Sequence, residues 1–88
     1  MANIKSQIKR NRQNEKRRQR NQAIRSEIKT RTRKALEAAE SGDADAAHEA
    51  LSRAQSRIDS AVHYGVLHAN TAARRKARLT ARIDDLLS

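Results

Sequence analysis

The sequence predicts an all-α protein: a three-helix bundle with a long, basic N-terminal helix projecting beyond the bundle. Composition is the first reason, since the chain has no Pro, 2 Gly and a single aromatic residue, Tyr64. Abundant Ala, Arg, Lys, Gln and Glu favour helix, and the shortage of aromatic residues disfavours strand. The second reason is a pair of breaks, at Ser41-Gly42-Asp43 and His63-Tyr64-Gly65. The third is apolar residues recurring at helical spacing within each of the three resulting segments. With 88 residues the chain has room for one hydrophobic core, so residues 1–88 form a single domain.

The first break separates helices one and two, because Gly42 can take the left-handed conformation that ends a helix and Asp43 can cap the next. Helix two then carries Ala47, Leu51, Ala54, Ile58, Ala61 and Val62 as one apolar stripe. After the second break, Val66-Leu67-His68-Ala69 leads to Asn70 or Thr71, either of which is placed to cap helix three. Helix three has a core face of Ala72, Leu79, Ile83 and Leu86. Its Arg75, Arg78 and Arg82 fall together on another flank. The expected large core side chains are Ile24, Ile28, Leu36, Leu51, Ile58, Val62, Val66, Leu67, Leu79, Ile83, Leu86 and Leu87.

Helix one is different in kind. Ile24, Ile28, Ala35, Leu36 and Ala39 make a stripe only in its second half. Residues 10–22 read RNRQNEKRRQRNQ, without one apolar residue, and helical spacing puts Arg10, Arg12, Lys16, Arg17, Arg18 and Arg20 around the whole circumference. Ile4 and Ile8 cannot extend the core stripe, because a straight helix turns by roughly 160° between Ile8 and Ile24. As one helix, residues 4–39 would be about 54 Å long, of which the part with a core stripe supplies roughly 24 Å. Residues 1–22 are therefore an arm, and residues 23–88 the bundle. Like charges repel and no apolar face offsets the entropy of ordering, so the arm is expected to be disordered when free and helical when bound.

Charge points to the partner. The formal net charge is +10, divided as +11 over residues 1–34, −4 over 35–62 and +3 over 63–88. A polyanion is the first expectation, and it should meet helices one and three. Arg adds planar, bidentate bonds to phosphate, and the interspersed Asn11, Gln13, Asn14, Gln19, Asn21 and Gln22 suit ribose hydroxyls and base edges. A flexible basic tail would need neither. A single aromatic residue excludes the base-stacking sheets and barrels that rely on several.

Other classes fare worse. The chain has no Cys, which removes a disulfide framework and the thiolate zinc sites and fits a cytoplasmic setting. No secretion signal or apolar span is recognisable, and residues 10–22 lack the apolar face of a membrane-surface helix. His48, His63 and His68 have no cysteine or paired carboxylates to complete a metal or catalytic site, so no enzyme, cofactor or metal is expected, and no small-molecule substrate. Glu15 and Glu27 are expected to pair with nearby Arg. His68, beside Asn70 and Arg74-Arg75-Lys76, either caps helix three or touches phosphate. The Lys76 stem either covers the core or carries its ammonium to a phosphate.

At this point the chain resembles, end to end, the bacterial small-subunit ribosomal protein twenty family. The resemblance lies in Met1-Ala2-Asn3-Ile4-Lys5-Ser6, the basic run with Glu15-Lys16 and the Gly42-Asp43 turn. It is most specific in Gly65-Val66-Leu67-His68 followed by Asn70, Ala72-Ala73-Arg74, Lys76 and Arg78-Leu79. It implies a three-helix bundle with an extended first helix that binds 16S ribosomal RNA and helps the small subunit assemble, as a monomer within the ribosome. The RNA contacts it implies in helix one are Asn3, Lys5, Ser6, Lys9 and Arg10, then Arg12, Asn14, Lys16, Arg17, Arg18, Arg20, Asn21, Arg25 and Lys29. Near helix three they are His68, Asn70, Arg74 and Lys76, beside the flank of Arg75 and Arg78. Where the family usually has Lys before Gly65 and before Asn70, this chain has Tyr64 and Ala69, and Tyr64 packs or stacks instead. The alternative is a nucleoid-associated DNA-binding protein, whose usual dimer interface would need a longer heptad seam than this chain has.

Overall fold

The computed structural model describes residues 4–88. Three helices follow one another: α1 over Ile4–Glu40, α2 over Ala44–His63 and α3 over Ala69–Leu87. Both turns are built the same way. Gly42 and Gly65 adopt φ of 80° and 73°, the left-handed conformation that glycine takes without steric cost. At the first turn the Gly42 and Asp43 amides donate to the carbonyls of Ala39 and Ala38; at the second, those of Gly65 and Val66 donate to Val62 and Ala61. This is the Schellman arrangement, which satisfies the carbonyls orphaned at a helix end. Asp43 then caps α2, its carboxylate accepting from the Ala46 amide at 3.1 Å.

Helix α3 begins two or three residues earlier than a cap at Asn70 or Thr71 requires, at the other cap the sequence offers. The cap is His68, whose extended backbone lets Nδ1 accept from the Asn70 amide at 3.1 Å. The Gly65 turn draws Val66 into the core and sets Leu67 against its margin, so the chain is ready to turn helical at Ala69.

The core is divided into two layers along the bundle. One joins Ala35, Ala39, Ala47, Leu51, Ala54, Leu79 and Ile83; the other joins Ile28, Ile58, Ala61, Val66 and Ala72. Ile24, Leu36, Val62 and Leu67 pack at the margins, as their spacing predicts. Half of the buried side chains are alanines, which let helix axes approach closely but remove little apolar area from water. The largest fully buried side chains are Ile58 and Ile83. Leu86 departs from expectation: it is exposed, and Leu87 packs against the core in its place. Leu79, Ile83 and Leu87 form one i, i+4 row, and Leu86 is rotated about 100° from its end.

Helix α1 gives the molecule its shape. At 37 residues it is about 55 Å long, whereas α2 and α3 have 20 and 19 residues. The principal extents are 65 × 22 × 13 Å. The radius of gyration, 17.5 Å, exceeds the roughly 12 Å of a compact domain of this length, because the first half of α1 stands clear of the bundle. Ile4 and Ile8 are both exposed there and add nothing to the core.

Candidate nucleic-acid interface

Every residue from Ile4 to Arg20 is exposed. Lys5, Ser6, Lys9, Arg10, Arg12, Asn14, Lys16, Arg17, Arg18 and Arg20 thus stand on a free helical rod, pointing in all directions around it. Asn3 lies outside the described residues. One acid interrupts the run: Glu15 accepts from Arg18 at 2.8 Å and from Gln19 at 3.3 Å. The Arg18 guanidinium holds the Glu15 carboxyl below the usual glutamate range, against a smaller opposing effect of desolvation. At its inner end the arm meets the bundle where the Arg20 guanidinium sits over the Tyr64 ring, 4.8 Å from its centroid. Tyr64 also packs edge-on against His63, with ring centroids 5.0 Å apart. The ring therefore packs, as a cation–π partner for the arm.

Among the described residues, most of the bundle's cations outside the α1–α3 face are ion-paired, Lys34 and Arg74 excepted. Across the α1–α2 face, Glu27 pairs with Arg57 at 2.8 Å and Arg31 at 3.6 Å, and Glu49 pairs with Arg53 at 2.8 Å. Arg33 pairs with Glu37 along α1. Between α2 and α3, Lys76 reaches Asp59 at 2.9 Å, so its ammonium is directed at a carboxylate of the bundle. Glu15 and Glu27 each find an arginine, as expected. The α1–α3 face is different. There Arg25 and Lys29 of α1 face Arg75, Arg78 and Arg82 of α3 across a groove of about 690 Å³. Among the described residues, none of these five cations pairs with a carboxylate.

The groove continues onto the arm. Asn14, Arg17, Arg18, Asn21, Gln22, Arg25 and Ser26 line a shallow concavity of about 560 Å³, and Arg25 belongs to both hollows. The reason is periodicity: Asn14, Arg18, Asn21 and Arg25 succeed one another at i+4 and i+3, with Lys29 a further turn on, along one side of α1. Asn21 is half-buried, and its Oδ1 has no hydrogen-bond partner. An acceptor in that state costs free energy until a donor reaches it.

Of the contacts that the resemblance implies, Arg25, Lys29, Arg75 and Arg78 lie around this one groove. Arg74 is exposed on α3 outside its lining, as is Asn70, whose amide is held by His68. Arg82 belongs with the group, although the resemblance does not imply it as a contact. Its position seven residues after Arg75 and four after Arg78 is the signal that places it there. Among the described residues no three His, Cys, Asp or Glu converge as metal ligands do, and no helix is long and apolar enough to cross a membrane.

Fold and charge together define a class: a small helical bundle that carries a basic helical arm and leaves one face of arginines unneutralised. Within that class the chain belongs to the ribosomal protein S20 family, which it matches over residues 2–84. It is 54% identical to the small ribosomal subunit protein bS20 of Salinispora tropica over 83 residues, covering 94% of each chain. It is also 54% identical to that of Beutenbergia cavernae over 86 residues, covering 98% of this chain and all of the relative. The protein of the same name from Corynebacterium glutamicum is 51% identical over 86 residues, covering 98% and 99%. This is a family of ribosomal proteins rather than of enzymes.

Proposed function

We infer that this protein is a structural constituent of the small ribosomal subunit, held there by direct binding to 16S ribosomal RNA, and that it stabilises the folded RNA during assembly. Its place is the ribosome, in the bacterial cytoplasm, as a single copy of the chain. The observation that carries this reading is the pairing of a family match over residues 2–84 with a basic surface that runs from the arm into the α1–α3 groove, where its five cations have no carboxylate partner.

The physics follows from the charge map. Cations around the whole circumference of residues 4–20 can neutralise phosphates of several RNA segments at once, which a one-sided basic helix cannot do. Each phosphate neutralised releases condensed counterions, so affinity falls with salt, by a log–log slope of about 0.7 to 0.9 per contact. Arginine forks give those contacts direction. The bundle sets the angle of the rod, through Arg20 on Tyr64 and the core below Ile24. The arm gains its full helical order only among phosphates, because among the described residues none before Asn21 is buried.

A salt titration of binding to 16S ribosomal RNA, with duplex DNA of equal length as competitor, tests the reading. Tight RNA binding that survives the competitor is expected. Equal affinity for both polymers would overturn it in favour of a DNA-compacting role.

A further inference from the structure

The α1–α3 groove has a feature that phosphate binding does not use. Its rim is cationic, but its floor is apolar, made by Ile28, Leu36, Ile58, Leu67 and Leu79. An RNA duplex presents phosphate and ribose on its outside and keeps its bases within, so it can satisfy the rim and leave the floor wet. A ligand that satisfies both must carry anionic charge along one edge and an uncharged planar face beside it. An unpaired nucleotide does so. The volume, about 690 Å³, is within the ordinary range for small-ligand sites, about 300 to 1,000 Å³. The five rim cations have no carboxylate to lose on binding, and arginine guanidiniums stack on bases where aromatic side chains are lacking.

We propose that this groove is a seat for an unpaired RNA nucleotide, with its phosphates on the rim of Arg25, Lys29, Arg75, Arg78 and Arg82 and its base on the floor at Ile28, Leu67 and Leu79. The proposal rests on the RNA-binding reading and deepens it: part of recognition is of single-stranded RNA, through contact with a base. Leu67 is half-buried and lies beside the Gly65 turn, so it reports on the floor without being a main support of the core.

The test is methyl NMR of the full-length protein, titrated separately with a short oligoadenylate, a blunt RNA duplex and inorganic phosphate. Oligoadenylate is expected to move the Ile28, Leu67 and Leu79 methyls upfield by ring current, whereas duplex and phosphate move only the arginine side-chain signals. Leu67→Gln, with its fold checked by circular dichroism, should weaken oligoadenylate binding several-fold and leave duplex binding unchanged. Equal movement of the floor methyls by duplex and single strand, or equal weakening of both by Leu67→Gln, would overturn the base seat. So would oligoadenylate shifts confined to the arginines. Those results would leave binding to 16S ribosomal RNA standing, since the competition with DNA decides that separately.

Discussion

The two halves of α1 are both rich in Arg and Lys, but only one half is held by the protein. Residues 24–40 bury Ile28, Ala35 and Ala39 against α2 and α3; residues 4–20 bury nothing. In the first region the sequence alternates apolar and polar positions at helical period, and in the second it is polar on every side. A helix charged on one side is an ordinary solvated surface. One charged on all sides is suited to being surrounded by its partner, and the difference marks where the protein's own buried contacts stop.

The largest expected effect comes from separating the halves. Deleting residues 1–22 should lower affinity for 16S ribosomal RNA by at least about a hundredfold near physiological salt and flatten its salt dependence. The same deletion should barely move the thermal unfolding of the bundle. Filter binding and calorimetry together check this, and a large loss of bundle stability would break the division.

The converse change is Ile58→Ala. It removes one of the two largest fully buried side chains, at an expected cost of about 2 to 5 kcal/mol, and in a bundle so rich in alanine that should unfold much of the population. Chemical denaturation followed by circular dichroism measures it. A smaller expected effect sharpens the contrast between faces. Arg78→Gln should reduce the salt slope of RNA binding by about 0.7 to 0.9, the signature of one lost phosphate contact. Arg53→Gln, which removes a cation already paired with Glu49, should leave the slope unchanged.

The smallest effect is one of pH. Glu15 is held below its usual pKa by Arg18, so the pair's support for the arm is present at neutral pH, where the carboxylate is ionised. It is lost as the pH falls through the lowered folded-state pKa. Backbone shifts of residues 12–19 should lose the residual helical character of the free arm over that acidic range, and Glu15→Gln should remove the dependence.

Much of this was legible in the sequence, for local reasons. Gly42 and Gly65 mark the helix ends because the backbone there needs a left-handed residue, and the stripe from Ala47 to Val62 needs no tertiary information to be read. Legibility failed where two helices decide together. Of the two leucines the sequence places in the core, Leu87 packs there and Leu86 does not, and of the caps it offers, Asn70, Thr71 and His68, the structure uses His68. Arg20 meets Tyr64, and Lys76 meets Asp59, across distances in sequence that no periodicity spans. The groove is the clearest case: Arg25, Lys29, Arg75, Arg78 and Arg82 are each visible as basic residues, but the apolar floor between them exists only because α1 and α3 stand apart above Ile28 and Leu79.

The central claim, that one helix is held by the bundle in its second half and by RNA in its first, is tested most directly by amide hydrogen exchange on the full-length protein, free and bound to 16S ribosomal RNA. Amides of residues 28–39 should be protected in both states, and those of residues 5–20 only in the complex. Strong protection of residues 5–20 in the free protein, or none in the complex, would contradict it.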